Sequence, residues 1–322
     1  MKKLVSIMIP CYNEQHSLAS LYEALVKVVD KIADYSFELF FINDGSSDET
    51  LNIIKGFYER DGRVSYVDLS RNFGKENAML SGFDYVRGDC VIIMDADLQD
   101  PPELIPEMLY WWEQHYDDVY AKRGDRGKES WLRKKLSLLF YSLLDRSTRF
   151  PVLKNVGDFR LLDRKCIDAL KLLRENERYT KGLFCWIGYK KKEIIFNRGS
   201  RVAGNSSWSF YSLFNLAVEG LTSFTTAPLR IATIMGLVIA FGAFVFLVYY
   251  LTKTLLFGDP VQGFTTLVCI MLFLGGVQLI SIGLLGEYVG KIFNETKNRP
   301  TYLIREYETG RNLIKVSGDV AE

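Results

Sequence analysis

Two long apolar segments in the C-terminal third restrict the architecture of this chain more than any other sequence feature. Ile231–Leu251 and Phe264–Leu285 carry no charged residue over 21 and 22 positions. A helix rises about 1.5 Å per residue, so a helix of that length crosses a hydrocarbon core of about 30 Å. A pair of buried helices in a soluble core is the alternative interpretation. The length of both runs favours two transmembrane helices joined by a short loop.

The cations that flank these segments predict their orientation. Lys253 is the only cation in the connecting loop, and Arg230 precedes the first segment. Four cations follow the second segment: Lys291, Lys297, Arg299 and Arg305. Because Lys and Arg are enriched on the cytoplasmic side of membrane proteins, the sequence predicts a multi-pass protein of the cell membrane. Both termini and the large N-terminal part are then expected in the cytoplasm.

The first hundred residues alternate strand and helix patterns. Strands are predicted at Leu4–Ile9, Phe37–Ile42, Val64–Asp68, Cys90–Met94 and, further on, Val119–Lys122. Helices are predicted between them at about 16–33, Asp48–Arg60 and Gly74–Val86. Right-handed crossover connections make such strands parallel, with helices on both faces of the sheet. The predicted fold class is therefore α/β, with a Rossmann-like, mostly parallel sheet followed by the transmembrane hairpin.

Polar loops follow the first four predicted strands and are expected to meet at one edge of the sheet. These loops are Pro10–Glu14, Asn43–Asp48, Ser70–Lys75 and Asp95–Asp97. No G-x-G-x-x-G follows the first strand and no P-loop motif occurs, so dehydrogenase and P-loop classes lose their main support. The net charge of +1 argues against nucleic-acid binding through overall charge. Five scattered cysteines without C-x-x-C spacing predict reduced thiols.

The stretch Val91–Glu103 joins an apolar strand to a cluster of acids and an amide. The strand ends at Asp95 and Asp97, and Gln99 follows at the same spacing. Carboxylate and amide oxygens suit Mg²⁺ or Mn²⁺, which can also hold phosphate oxygens. An ordinary turn rich in Asp and Pro is the alternative interpretation. Together with Tyr12, which could stack on a base, and Asp44, which could accept from a base edge, this pattern fits a nucleotide sugar.

Four motifs in order resemble the family 2 glycosyltransferases of GT-A fold, in particular the polyprenyl-phosphate glycosyltransferases related to dolichol-phosphate mannose synthase. They are Pro10–Glu14, Asp44–Asp48, Asn72–Lys75 and Asp95–Glu103, and the similarity continues at Gly286–Lys291 and Arg299–Tyr302. The resemblance implies a cytoplasmic GT-A domain at residues 1–205 and an interfacial amphipathic helix at 206–229. It further implies two transmembrane helices within 230–290 and a cytoplasmic tail at 291–322.

The resemblance also implies a reaction. We expect inverting, metal-dependent transfer of one sugar from a nucleotide sugar to a polyprenyl phosphate such as undecaprenyl phosphate, which makes a lipid-linked donor for cell-envelope glycosylation. UDP-glucose is the favoured donor, and a GDP-sugar, GlcNAc or a modified sugar are the alternatives. Mg²⁺ or Mn²⁺ is the expected cofactor. Homo-oligomers, including tetramers, occur in the family, and the Gly286-x-x-x-Gly290 spacing permits close approach of helices.

The family match assigns roles to particular residues. Metal ligands are Asp95, Asp97 and Gln99. Donor-nucleotide contacts are Pro10, Tyr12, Asn13, Glu14, Asp44, Asp95 and Arg201. Acceptor-phosphate contacts are Arg123, Arg133, Lys134 and Ser137, for which a solvated basic face near an anionic membrane is the alternative. Catalytic residues are Asp97 and Asp158.

Asp158 aligns with the acid usually regarded as the base in this family. A phosphate monoester is already largely dianionic at neutral pH, so it needs little deprotonation. We therefore expect Asp158 to orient the acceptor or accept a residual proton rather than to generate the nucleophile. A Gly-Asp turn before a strand is the alternative structural interpretation.

Two other functions compete with this one. A processive polysaccharide synthase of the same superfamily would carry a Gln-x-x-Arg-Trp motif and usually more membrane spans, and neither is found in the sequence. A non-catalytic membrane scaffold would have no chemical need for clustered acids on one sheet edge.

Overall fold

The computed structural model describes residues 2–124, 156–176, 178–196 and 263–313, together with isolated positions between 234 and 256. The chain divides into two compact units. The first contains Met1–Phe210 and Pro300–Glu322, and the second contains Tyr211–Arg299.

The first unit is built on an eight-stranded sheet. Its strands are β1 (Lys3–Cys11), β2 (Tyr35–Asn43), β3 (Val64–Leu69), β4 (Cys90–Ile93), β5 (Asp118–Arg123), β6 (Val156–Asp163), β7 (Lys191–Phe196) and β8 (Ile304–Glu308). Its α-helices are α1 (Leu18–Val29), α2 (Thr50–Arg60), α3 (Lys75–Tyr85), α4 (Ile105–Glu113), α5 (Arg164–Leu172) and α6 (Thr180–Trp186), and a 3₁₀ turn, Pro102–Leu104, precedes α4. The α/β class is confirmed, and the predicted strands and helices occur with ends that differ by a few residues.

The strand order is β7-β5-β6-β4-β1-β2-β3-β8. Strands β1 to β4 are mutually parallel in the order β4-β1-β2-β3, so the loops that follow them lie at one edge, as the alternating pattern predicts. Strand β6 is antiparallel to both β4 and β5, with Arg160 opposite Ile93. This pairing brings the beginning of β6, which includes Asp158, beside the end of β4.

The centre of the sheet is buried and mostly apolar. All four residues of β4 are buried, as expected for a continuous apolar run in a parallel sheet. Helix α1 buries Leu18, Leu21, Leu25 and Val29, which recur every three or four residues along one face. Each fully buried side chain of this size contributes about 1.5 to 3 kcal/mol. This rigid core holds the edge loops in place.

Residues beyond Arg299 return to the sheet. Strand β8 pairs antiparallel with β3 and covers what would otherwise be an exposed sheet edge. Arg305 donates to Asp68 Oδ2 at 3.2 Å and to the Ser70 carbonyl at 2.8 Å, and the Ser70 N–H donates to the Leu303 carbonyl. Part of the segment that the sequence marks as a tail is therefore a component of the first unit.

Arg305→Ala should destabilise the first unit by about 1 to 2 kcal/mol. The substitution removes one hydrogen bond to the Asp68 carboxylate and one to the Ser70 carbonyl, and the partial exposure of Arg305 to solvent limits the loss. Asp68 is fully buried, and of its side-chain hydrogen bonds to described residues it would keep only the one from Asn43 Nδ2. Thermal and urea unfolding of the purified chain measure the effect. Arg299→Ala, at an exposed position, is the matched control and should leave stability nearly unchanged. Equal effects of the two substitutions would contradict a structural role for β8.

The second unit contains one long helix in its described part, α7 (Phe264–Thr296). It begins at the first residue of the predicted second span and continues past its predicted end. Within it, Phe273–Thr296 is long and apolar enough to cross a membrane, by length and composition. The predicted first span, Ile231–Leu251, is described only at isolated helical positions. The interfacial helix predicted at 206–229 lies outside the described residues.

Candidate active site

Hydrogen bonds tie the first two edge loops together. The Asn13 N–H donates to Ser46 Oγ at 3.0 Å, and the Ser47 N–H donates to Asn13 Oδ1 at 2.9 Å. The Glu14 N–H donates to Thr50 Oγ1 at 2.8 Å. These bonds hold the loop after β1 against the loop after β2. Asn13 and Glu14, which are predicted nucleotide contacts, therefore also fix the relative position of the two loops.

Tyr12 and Glu14 differ in their surroundings. The Tyr12 side chain is 48% exposed, so its ring is accessible to a base, and Pro10 beside it is half-buried. Burial raises the pKa of Glu14, and the charges of Asp97 and Asp95 raise it further against a hydrogen bond from Ser17. The influence of Asp95 and Asp97 on Glu14 places the loops after β1 and β4 at the same site.

Asp44 connects the second loop to the third. Its Oδ1 accepts from the Phe73 N–H at 2.7 Å and its Oδ2 accepts from the Gly74 N–H at 3.0 Å. Burial raises the pKa of this carboxyl, and the two backbone hydrogen bonds oppose that shift. Asp44 therefore holds the backbone that precedes α3, a positioning role additional to the base contact predicted for it.

Gly45→Ala should destabilise the chain by about 2 to 4 kcal/mol. Gly45 has φ of +61°, and an added Cβ would lie 2.3 Å from the Arg71 carbonyl carbon and 2.5 Å from the Asn72 nitrogen. Backbone must therefore move, which separates the second loop from the third. Gly188→Ala is the matched control, because Gly188 also has positive φ, but only one atom of the described residues beyond its chain neighbours lies within 4 Å of an added Cβ, at 3.9 Å. It should cost about 1 to 2 kcal/mol in the same unfolding experiment, and a similar cost at both sites would contradict the predicted clash.

The loop after β4 carries the predicted metal ligands. The Gln99 N–H donates to Asp97 Oδ1 at 3.1 Å, and the Asp95 N–H donates to Asp100 Oδ2 at 3.1 Å. Leu98, between Asp97 and Gln99, packs against the hydrophobic core. Burial and the neighbouring charge of Asp95 raise the pKa of Asp100 to about 7. Asp95, Asp97 and Gln99 therefore lie together in one compact loop.

The oxygens of this loop suit a divalent ion. Gln99 is buried, and its Oε1 accepts no hydrogen bond from any described residue. A buried amide oxygen without a donor is costly unless a ligand completes it, and Mg²⁺ and Mn²⁺ prefer oxygen ligands. Within the described ranges, no three His, Cys, Asp or Glu side chains form a metal site. The donor set predicted from the sequence is two carboxylates and one amide, and such a set would leave coordination positions for phosphate oxygens or water.

Lys75 lies between the two groups of acids that the sequence assigns to donor and acceptor. Its Nζ is 2.5 Å from Asp95 Oδ1 and 2.6 Å from Asp158 Oδ2. The Asp158 side chain is only 8% exposed, and its Oδ1 has no hydrogen-bond partner among the described residues. Lys75 is the first residue of α3, Asp95 lies in the loop after β4, and Asp158 lies near the beginning of β6. One ammonium group therefore bridges carboxylates from two separate parts of the sheet edge.

The charges at this bridge determine the ionisation of Asp158. Burial opposes the charged form, but Lys75 and Lys181 outweigh it and lower the pKa of Asp158 below its ordinary value. For Lys75, burial again acts against the charge, while Asp158 and Asp95 raise its pKa. Asp158 is accordingly a carboxylate at neutral pH, which fits an orienting group better than a strong base.

Arg160, a buried residue of β6, stabilises the beginning of that strand. Its guanidinium is buried 3.2 Å from Asp118 Oδ2 and lies 3.8 Å from the centre of the Phe184 ring. It also donates to the Gly157 carbonyl at 3.3 Å, next to Asp158. Asp158 belongs to β6 itself, so the structure favours the strand placement over the alternative of a turn before a strand.

One site residue, Lys75, had only a partial signal in the sequence. Lys75 belongs to the Asn72–Lys75 motif, but the sequence assigned it no role. A lysine in a loop at the same sheet edge as the acids was the available signal. Arg123 ends β5, and its side chain is outside the described part of the chain, as are Arg133, Lys134, Ser137 and Arg201. Their predicted roles remain predictions.

The site therefore combines an Asp-x-Asp loop with the buried Asp158 at one edge of an α/β sheet. Two family models match the chain: Glycosyl transferase family 2 over residues 6–171, and the GtrB C-terminal hairpin over residues 227–292. The chain belongs to glycosyl transferase family 2, and it is a glycosyltransferase.

Curated relatives match nearly the whole chain. A "SfII prophage-derived bactoprenol glucosyl transferase" of Shigella flexneri is 42% identical over 95% of this chain and 99% of its own length. A "Prophage bactoprenol glucosyl transferase homolog" of Escherichia coli (strain K12) is 40% identical over 94% of this chain and 98% of its own length. An "Uncharacterized glycosyltransferase sll0501" of Synechocystis is 42% identical over 94% and 95%.

Proposed function

We propose that this protein transfers a single sugar from a nucleotide sugar to a polyprenyl phosphate such as undecaprenyl phosphate. Glucose from UDP-glucose is the favoured donor. The observation that carries the proposal is the Lys75 bridge, which joins Asp95 of the predicted donor site to Asp158 of the predicted acceptor site. The bactoprenol glucosyl transferases of Shigella and Escherichia coli support the acceptor class and the sugar.

The donor side consists of the loops after β1, β2 and β4. The exposed ring of Tyr12 would stack on the base, and Asp95, Asp97 and Gln99 would hold Mg²⁺ or Mn²⁺ on the diphosphate. A bound divalent ion would stabilise negative charge on the leaving diphosphate. The carbonyl and carboxylate oxygens of these loops orient the nucleotide, and Arg201 is the proposed further contact to the diphosphate.

The acceptor side begins at Asp158. An oxygen of the acceptor phosphate forms the new bond to the anomeric carbon as the bond from that carbon to the diphosphate breaks, so the configuration inverts and a nucleoside diphosphate leaves. Since the phosphate is largely dianionic at neutral pH, Asp158 orients it or takes a residual proton. Arg123, Arg133, Lys134 and Ser137 are the proposed phosphate contacts, because an anionic acceptor in a site rich in carboxylates needs cations and donors.

The second unit supplies the proposed membrane anchor. Leu279, Ile280 and Ile282 on α7 are each more than 60% exposed within the described structure, which is costly in water and ordinary in lipid. We propose a multi-pass cell-membrane protein with both termini and the catalytic unit in the cytoplasm. Gly286 and Gly290 have no described atom within 4 Å of an added Cβ, which supports helix packing in a homo-oligomer along this face.

The test is an incubation of membranes containing the protein with radiolabelled UDP- and GDP-sugars, undecaprenyl phosphate and Mg²⁺ or Mn²⁺. We expect label from UDP-glucose in the organic phase and none when the divalent ion is chelated. Membranes with Asp97→Ala are the matched control for endogenous enzymes. Absence of lipid-phase label with every donor would refute the proposal and favour a scaffold. Growth of a water-soluble polymer would favour a processive synthase.

A further inference from the structure

Two carboxylates share a single ammonium group at the centre of the site. The Lys75 Nζ is within 2.6 Å of both Asp95 and Asp158, while the Lys75 side chain is 41% exposed. An ammonium has three donor hydrogens and is held by a flexible four-carbon stem, so it can exchange partners without movement of the backbone. The backbone below it is held in place by Asp44 through Phe73 and Gly74. The Lys75 ammonium can therefore move while the backbone that carries it stays in place.

Donor binding must disturb this bridge. The Lys75 ammonium occupies Asp95 Oδ1, one of the oxygens proposed to face the donor's divalent ion. A cation that approaches Asp95 repels an ammonium on the same carboxylate, and a diphosphate brings several negative charges to the same place. Asp158 holds the ammonium from the other side, and burial of Asp158 strengthens that attraction. The donor and Asp158 are thus competitors for one positive charge.

We propose that Lys75 couples the donor site to the acceptor site by exchanging partners. In the ligand-free enzyme, its ammonium donates to Asp95 and Asp158 together and balances one of their two negative charges. When the nucleotide diphosphate binds, the ammonium leaves Asp95 and donates to the diphosphate, and its hold on Asp158 weakens. Asp158 then becomes available to accept the residual proton of the acceptor phosphate. This inference rests on the proposed function, because it takes a nucleotide diphosphate as the donor group.

Binding of UDP in the presence of MnCl₂ tests the coupling without turnover. Titration calorimetry on the full-length protein in detergent is performed for wild type, Asp158→Asn, Lys75→Met and the double variant. Because Asp158→Asn frees the ammonium, we expect it to tighten UDP binding about tenfold. Lys75→Met should weaken UDP binding, and in that background Asp158→Asn should have little further effect. Lys75→Arg, which keeps the positive charge, should recover part of the lost affinity.

The direction of the Asp158→Asn effect separates coupling from structural damage, because a disrupted site binds UDP more weakly and not more tightly. Unchanged or weaker binding by Asp158→Asn would overturn the inference. An equal gain from Asp158→Asn with and without Lys75 would also overturn it, because the effect would then come from Asp158 alone. If wild type binds neither UDP nor GDP with Mn²⁺, the proposed function itself fails. If wild type binds UDP but the effects of the two substitutions on UDP affinity are additive, only the coupling is refuted.

Discussion

Asp97→Ala should lower sugar transfer by about a thousandfold while the protein still inserts in the membrane. Asp97 is one of two carboxylates in the proposed donor set, and its Oδ1 also accepts the Gln99 N–H that shapes the loop. Alanine removes both the charge and the acceptor. Label transferred from UDP-glucose to the organic phase measures the activity, and alkaline extraction of membranes measures insertion.

Asp97→Asn separates these two effects. Asparagine keeps an oxygen that can accept from the Gln99 N–H and loses only the negative charge. We expect it to be nearly as inactive as Asp97→Ala, with normal thermal stability, because the proposed role depends on charge. Recovery of most of the activity by Asp97→Asn would assign Asp97 to the turn instead. Transfer by wild type in the absence of any divalent ion would likewise contradict the metal role.

Asp158→Asn should lower transfer by about a hundredfold at every pH between about 6 and 9. The pKa of Asp158 is lowered from its ordinary value of 3.8, so the carboxylate is charged at every pH above that value. It becomes protonated only at a more acidic pH. Wild type should therefore show no ionisation of Asp158 in its pH–rate profile over this range. Since asparagine cannot carry the charge at any pH, the loss should be constant.

Recovery of Asp158→Asn activity as the pH rises would contradict the orienting role, because hydroxide would then be replacing a base. Asp163→Asn is the matched control at the other end of β6. Asp163 accepts hydrogen bonds from Trp112 Nε1 and the Lys165 N–H, so its replacement affects packing and the start of α5. Activity normalised to folded protein should remain close to wild type in this control.

The strand and loop positions were predictable from local pattern. A continuous apolar run such as β4 can only be a buried segment, and polar residues at its end must face water or a ligand. Since consecutive strands joined by helices are parallel, the four loops had to share one edge. For that reason the neighbourhood of Asp44, Asp95 and Asp97 followed from the order of the motifs, although their contacts did not.

Pairings between distant segments were not predictable in this way. Nothing local in Val156–Asp163 shows that β6 runs antiparallel beside β4, and yet that pairing brings Asp158 to Lys75. Residues 304–308 resemble a polar tail, but they pair with β3 and place Arg305 on the buried Asp68. In both cases the paired strands are far apart in the chain, and neither strand's local pattern specifies its partner.

By itself, the sequence determined the α/β class, the four edge loops and the residue types available for a nucleotide and a divalent ion, because these depend on periodicity and chain order. Only the tertiary structure decided that Lys75 bridges Asp95 and Asp158 and that Asp44 holds the loop before α3. Those contacts join residues far apart in the chain, and their distances are set by strand register and by side-chain direction, which no local pattern specifies.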